Sequence, residues 1–232
     1  MTPKGPGTAE SPPNGVGIFG GTFNPIHVGH LRAAEAVLDT LGLERMIFVP
    51  SAEPPHKHAS DDDPIAPAAL RLDWVRAAVA GQPRFEVDPI EIERGGPSFT
   101  VDTLRAIGAR SAPHFPIFVI GHDAFLEMGT WREPAAIFTL AHLAIIVRPP
   151  AAKGSLADWL PEFARDQVTV SSEGLSGKHR SAGTWIRVLE IPALDVSASD
   201  TRQRLREGRS VCGLLPETVR KAVEQSGVYA RE

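Results

Sequence analysis

The sequence predicts an α/β fold: a parallel sheet with helices on both faces and a ligand crevice at the carboxyl ends of its strands. Three observations predict it. Short runs rich in β-formers alternate with stretches of helical spacing along most of the chain. An apolar strand runs into GGTFNPIHVGH, Gly20 to His30, a strand–loop–helix passage with a Gly-Gly pair and two histidines three apart. And 232 residues, 42% of them hydrophobic, suffice to bury a core.

Val16–Phe19 is the first strand, and Gly20 and Gly21 allow a sharp turn after it because neither carries a Cβ. Spacing predicts a helix from about Gly29 to Leu41. Leu31, Ala34, Leu38 and Leu41 share one face, Arg32, Glu35 and Asp39 the other, and Gly42 is the stop. Met46–Val49 is a second strand, ended by Pro50; the following SAEPPHKHASDDDP is too polar and Pro-rich for regular structure. A helix from about Ala66 to Ala80 precedes a short strand at Phe85–Val87, and Ser98 or Thr100 can cap a helix reaching about Ala109. Pro116–Gly121 and His142–Val147 are apolar strands, with short helices around Ala124–Met128 and Pro134–Phe138 between them. Pro149–Ser181 has the weakest pattern and predicts an insertion or a loose helix near Leu156–Ala164. Thr184–Ile191 is a late strand, and helices near Ser199–Glu207 and Pro216–Gln225 close the chain. Residues 1–15, rich in Pro, Gly and small polar groups, predict a disordered tail ahead of a single domain over 16–232.

Composition narrows the function classes. A net charge of −4 gives no general attraction for nucleic acid, though a local basic cleft for a small anion is compatible with it. No run approaches the roughly 18 apolar residues of a membrane span, and the tail lacks the apolar core of a secretory signal. The single Cys212 excludes an internal disulfide and argues against a cysteine-based zinc site. A reducing cytoplasm is the expected location.

Chemistry concentrates in two places. Helix-start N–H groups after the Gly-Gly element favour phosphate, and His27 and His30, both on the helix or one just before it, can face one anion. Gly29 stands between them, where a larger side chain would crowd a ligand. As a metal pair the histidines lack a nearby Cys or acidic partner. Far downstream, VSASDTRQRL (Val196–Leu205) places hydroxyl residues at a helix start and Arg202 just inside it. Ser197 or Ser199 can cap that helix or donate to phosphate, and Arg202 offers bidentate pairing. The strand ending at Gly121 delivers Asp123, and all three segments are expected at one crevice.

GGTFNPIHVGH, with His27-Val28-Gly29-His30 at its end, resembles the signature of the nucleotidyltransferase superfamily, and VSASDTRQRL resembles its late ISSTxIR element. Ser199 falls at the Ser/Thr position and Arg202 at the Arg. Asp200 and Thr201 depart from the pattern, bringing a negative charge near the triphosphate and a polar residue where an apolar one is usual; Asp200 can instead point away and favour the helix dipole. The early element is shared with class I aminoacyl-tRNA synthetases, whose lysine-rich second signature is not apparent here. PPHK (Pro54–Lys57), SFT (Ser98–Thr100) and GHDAFLEMGTWREP (Gly121–Pro134) narrow the resemblance to the bacterial nicotinate-nucleotide adenylyltransferases, over nearly all of Val16–Tyr229.

The resemblance implies a Rossmann-like parallel sheet with helices on both faces, of nucleotidyltransferase type. It also implies adenylyl transfer from ATP to nicotinate mononucleotide, with Mg²⁺ carried mainly by the ATP phosphates and no dedicated metal cage. Catalytic roles fall to His27, His30 and Arg202. ATP contacts fall to Gly20, Gly21, Thr22, Phe23, His27, His30, Gly121, Asp123, Ser199 and Arg202. Acceptor contacts fall to His56, Lys57, Thr100, Asp123, Trp131 and Arg132, with Trp131 stacking on the pyridine ring or serving as a half-buried core residue. Arg148 can reach the acceptor phosphate or be structural. Nicotinamide mononucleotide and phosphopantetheine are alternative acceptors; a non-catalytic nucleotide-binding protein and a histidine-based metal binder are alternatives of other classes.

Overall fold

The computed structural model describes residues 15–55, 64–111, 114–147, 153–191 and 196–230. The expected tail up to residue 14, His56, Lys57 and Arg148 lie outside the described residues. In order, the first half runs β1 (Val16–Gly21), α1 (Val28–Leu41), β2 (Arg45–Pro50), α2 (Ala68–Val79), β3 (Phe85–Val87), α3 (Ile90–Arg94) and α4 (Thr100–Ser111). It continues through β4 (Ile117–Gly121), α5 (His122–Leu126), a 3₁₀ turn (Met128–Thr130), α6 (Pro134–Leu140) and β5 (His142–Val147). Then come α7 (Leu156–Trp159), α8 (Glu162–Arg165), β6 (Val168–Val170), β7 (Ser176–His179), β8 (Trp185–Glu190), α9 (Ala198–Arg206) and α10 (Glu217–Ser226).

All eight strands form one sheet in the order β3-β2-β1-β4-β5-β8-β7-β6. The six strands from β3 to β8 are parallel, and β7 and β6 extend them antiparallel. The expected parallel sheet is present across six strands, and the added antiparallel hairpin makes the whole sheet mixed. The added hairpin lies in the stretch of weakest pattern, because strands of three and four residues such as VTV and SGKH carry too few side chains to show alternation.

Alternation along β1 divides the core. Ile18 faces a cluster with Leu104, Phe118, Phe138 and Ile186, while Phe19 faces another with Val37, Leu38, Phe48 and Trp74. Both faces of the sheet are thus covered by helices, as parallel strands require. α1 ends where Gly42 adopts φ 62°, the left-handed conformation that lets its N–H reach the Leu38 carbonyl. From β1 the chain moves outward to β2 and β3, then crosses back to β4 on the other side of β1. Connections diverge between β1 and β4, and open α/β sheets bind ligands beyond the carboxyl ends of such a strand pair.

His142 shows how burial sets a pH response. It is buried at the start of β5, its Nδ1 accepts the Trp185 N–H at 3.0 Å, and its ring stacks on the indole at 4.5 Å and 8°. Burial, and then the Arg187 charge, lower its pKa from 6.5 to about 4. The neutral ring belongs to the folded state and the unfolded chain takes the proton first. The stabilisation is complete above about pH 6.5 and is lost as pH falls toward about 4, up to roughly 2 kcal/mol after allowance for solvent screening. The urea midpoint is expected to fall between about pH 7.5 and about pH 5, and His142→Gln to flatten that dependence. A proton NMR titration placing the imidazole midpoint near its ordinary value would contradict the assignment.

Candidate active site

β1 stays paired to its end, with Gly20 opposite Val49 and Gly21 opposite Pro50, and neither glycine has a positive φ. The expected Gly-Gly turn is corrected: the first strand reaches Gly21, and the reversal is made by residues 22–27. Phe23 sits at φ 47°, in the left-handed region that a side chain rarely adopts. Packing holds it there, with ring centroids at 6.0 Å to Phe19, 5.8 Å to Phe48 and 5.1 Å to His30. Gly21 supplies room for that ring, since a Cβ on it would lie 3.1 Å from Phe23 Cζ.

Two buried guanidinium groups fasten this loop. Arg202 donates from Nη1 to the Asn24 carbonyl at 2.8 Å and from Nη2 to Ser199 Oγ at 3.2 Å. Arg71, 1% exposed, donates to the carbonyls of Thr22, Ala52 and Ala66 at 2.7, 2.8 and 2.9 Å. The Asn24 side chain completes the lattice: Oδ1 accepts the Ala66 N–H at 2.9 Å and the Tyr229 hydroxyl, and Nδ2 donates to the Pro64 carbonyl at 3.0 Å. Burial lowers the Arg71 pKa, while Tyr229 and Glu91 act in the opposite direction. The early and late segments thus meet, as their spacing in sequence did not require.

His27 is the N-cap of α1 and His30 its third residue. The His27 N–H donates to His30 Nδ1 at 3.2 Å, and the two rings stack at 3.6 Å and 24°. With Nδ1 accepting, the neutral His30 ring carries its proton on Nε2, which is then a donor. A Cβ on Gly29 would lie 3.0 Å from His27 Nδ1, so the glycine makes room for the histidine itself. The helix-start donors are partly engaged: the Val28 N–H meets the Leu214 carbonyl at 3.0 Å and the His30 N–H the His27 carbonyl at 3.0 Å. The expectation of free N–H groups there is narrowed accordingly.

Ser197, of the two candidates, caps α9 by accepting the Asp200 N–H at 3.1 Å. Asp200 points along the helix to Arg204 Nε at 2.8 Å. Thr201 is fully buried, its hydroxyl donating to the Ser197 carbonyl at 2.8 Å. Neither departure from the pattern displaces Arg202.

A cavity of about 270 Å³ opens on the other side of Gly20, Gly21 and Thr22, and Thr100, Trp131 and Arg132 line it. Trp131 meets Phe118 edge to face at 6.4 Å, and the Arg132 guanidinium lies 4.7 Å from the centre of the Phe99 ring. Gly121 ends β4 as expected, but Asp123 carries a fully exposed side chain in α5 and is not among the lining residues. Neither Ser98 nor Thr100 caps α4: Ser98 Oγ accepts the Ala52 N–H at 2.8 Å, and Thr100 is the first helical residue. Three contributors escaped sequence reasoning. Ser51 lines the cavity with a buried hydroxyl that has no partner among the described residues, and its position just after β2 was the available signal. Glu91 lines the same wall, with burial raising its pKa and hydrogen bonds from Thr103 and then Ser98 opposing the rise. Arg71 occupies an apolar position of a helix, between Leu70 and Leu72 and one turn before Val75, which was its only mark.

No helix among the described residues is long and apolar enough to cross a membrane, and no group of three or more His, Cys, Asp or Glu among them could hold a metal ion. Residues 18–204 match the family model described as cytidylyltransferase-like. The chain is 40% identical over 214 residues to a protein of Trichlorobacter lovleyi named "Probable nicotinate-nucleotide adenylyltransferase", covering 92% of this chain and 98% of that one. A protein of Yersinia pestis with the same name is 36% identical over 213 residues, covering 91% and 94%. In fold, it resembles the nicotinic acid mononucleotide adenylyltransferase of Plasmodium falciparum complexed with NaAD, at a TM-score of 0.66 and 14% identity, covering 93% of this chain and 97% of that one. Taken with the buried junction of the two signature segments, these likenesses place the chain in the nicotinate-nucleotide adenylyltransferase family, within the cytidylyltransferase-like proteins.

Proposed function

We propose that this chain transfers the adenylyl group of ATP to the phosphate of nicotinate mononucleotide, forming nicotinate adenine dinucleotide and pyrophosphate in NAD biosynthesis. The observation that carries the reading is the Arg202–Asn24 bond, which sets the start of α9 against the loop leading to the stacked histidines, beside a cavity lined by Trp131.

An acceptor phosphate oxygen attacks the α-phosphorus, a new P–O bond forms, and the electron pair of the breaking bond leaves with pyrophosphate. That phosphate is already anionic near neutral pH, so no general base is needed. The protein's work is positioning and charge stabilisation. His30, donating from Nε2, and the backbone of Gly20, Gly21, Thr22 and Phe23 hold the α- and β-phosphates. His27, Ser199 and Arg202 hold the β- and γ-phosphates. Mg²⁺ brought with the ATP phosphates would supply charge neutralisation beside the donors of His27, His30, Ser199 and Arg202. In the cavity, Trp131 stacks on the pyridine ring, and Thr100 and Arg132 face its carboxylate. Asp123 reaches a ribose only from the rim, and His56 and Lys57 supply donors to the acceptor phosphate.

The test is pyrophosphate release from ATP and Mg²⁺ with nicotinate mononucleotide, nicotinamide mononucleotide or phosphopantetheine. Turnover with the acid mononucleotide at least about tenfold above the others is expected; preference for either rival acceptor would overturn the assignment. His30→Ala is expected to lower kcat by about 10²–10³-fold with folding intact. Gly29→Ala separates function from stability. The added Cβ drives the His27 ring off its stack, so kcat should drop by about tenfold, while the better helix former leaves Tm unchanged or slightly raised.

A further inference from the structure

Arg71 lies outside the groups that the proposed mechanism uses, yet it touches the loops on both sides of the site. Its three hydrogen bonds go to carbonyls on three separate segments, and among the described residues no carboxylate lies within ion-pairing distance of it. The Thr22 carbonyl belongs to the phosphate-side loop. The Ala52 carbonyl belongs to the loop after β2, which borders the cavity. On that second loop the chain of contacts continues. The Ala52 N–H donates to Ser98 Oγ at 2.8 Å, and on the same cavity wall Thr103 Oγ1 donates to Glu91 Oε1 at 2.5 Å. Ser98 is tied to the same loop by its own N–H, which donates to the Glu53 carbonyl at 2.9 Å. Glu91, Ser98 and Thr103 all line the cavity. Hydrogen bonds through Arg71, Ala52 and Ser98 therefore link the loop after β1 to the segment that leads into α4 beside the cavity.

We propose that Arg71 is a positioning residue that fixes the register between the nucleotide-phosphate loop and the acceptor pocket, acting through the Thr22–Arg71–Ala52–Ser98 series. The inference rests on the adenylyl-transfer reading. A trans peptide unit is planar, so holding the Thr22 carbonyl inward also fixes the Phe23 N–H on the opposite side. The planar guanidinium fork spans three carbonyls in three directions, which a lysine ammonium on one flexible stem cannot do. In-line transfer is sensitive to such register: a displacement of about 1 Å between acceptor and α-phosphorus costs about 100-fold in rate.

The experiment compares wild type with Arg71→Lys, which keeps the charge and loses the fork. Expected is a fall in kcat of about 100-fold, with the Kd of ATP alone and of nicotinate mononucleotide alone each within about threefold of wild type, because each half-site survives. Hydrogen exchange is expected to rise together at residues 22–24 and 52–53 while β4 and β5 stay protected. Should Arg71→Lys fail to fold, Ser98→Ala cuts the same series at its far end and is expected to lower kcat about tenfold with the same split. A kcat within about threefold of wild type in the folded variants, losses of separate binding as large as the loss of kcat, or loosening of one loop without the other would each overturn the proposal. A wild type inactive with these substrates would defeat the functional reading instead, and hydrogen exchange then decides the register claim by itself.

Discussion

The site depends on a loop whose carbonyls turn inward. A tight strand-to-helix connection that offers its N–H side to an anion must bury carbonyl oxygens, and buried carbonyls need donors. Arg71 reaches back to Thr22 across 49 residues and Arg202 reaches back to Asn24 across 178. Both are arginines for the same reason: a planar group with five N–H donors satisfies several acceptors at once. Phe23 can therefore remain at a positive φ, a conformation costing on the order of 1–3 kcal/mol unless its surroundings over-determine it.

The cavity and the packing of His30 fall on opposite faces of the sheet. Ile18 and Phe118 lie on the face that carries the cavity, whereas Phe19 and Phe23 lie on the face against which His30 packs. Only at the carboxyl end of β1 can a ligand touch both. The three residues there that border the cavity are Gly20, Gly21 and Thr22, the smallest side chains on that strand end. The glycines thus serve passage and close packing rather than chain reversal, which their backbone angles do not provide.

Much of this was legible in the sequence because it rests on patterns confined to short windows. The β1–α1 passage, the apolar strands β4 and β5 and the Gly42 stop each declare themselves within one element. What stayed hidden depends on partners distant in sequence. α3 has only five residues, too few for a helical period, and what marks it is the Glu91 carboxyl that Thr103 satisfies. The hairpin of β6 and β7 is stabilised by pairing with β8 and not by its own side chains. Arg71 escaped notice because the three carbonyls that explain it belong to other segments. The position of Asp123 after β4 was legible, but not that the turn into α5 directs its side chain to solvent.

The late helix shows how such a site absorbs sequence change. Asp200 would threaten an anion site if its carboxylate faced the phosphates, but one helical turn away Arg204 takes it, the i,i+4 geometry holding both along the helix surface. Thr201 brings a hydroxyl into a fully buried position, which is tolerable because the Ser197 carbonyl at the helix start lies within reach and accepts it. Each departure is neutralised by a neighbour in the same helix, so neither disturbance reaches Arg202. What cannot be neutralised locally is the Arg202–Asn24 contact, since its two ends lie in different elements and no neighbouring side chain can substitute for either. The constraint on this family member therefore falls on the junction between the two signature segments more heavily than on the composition of either one.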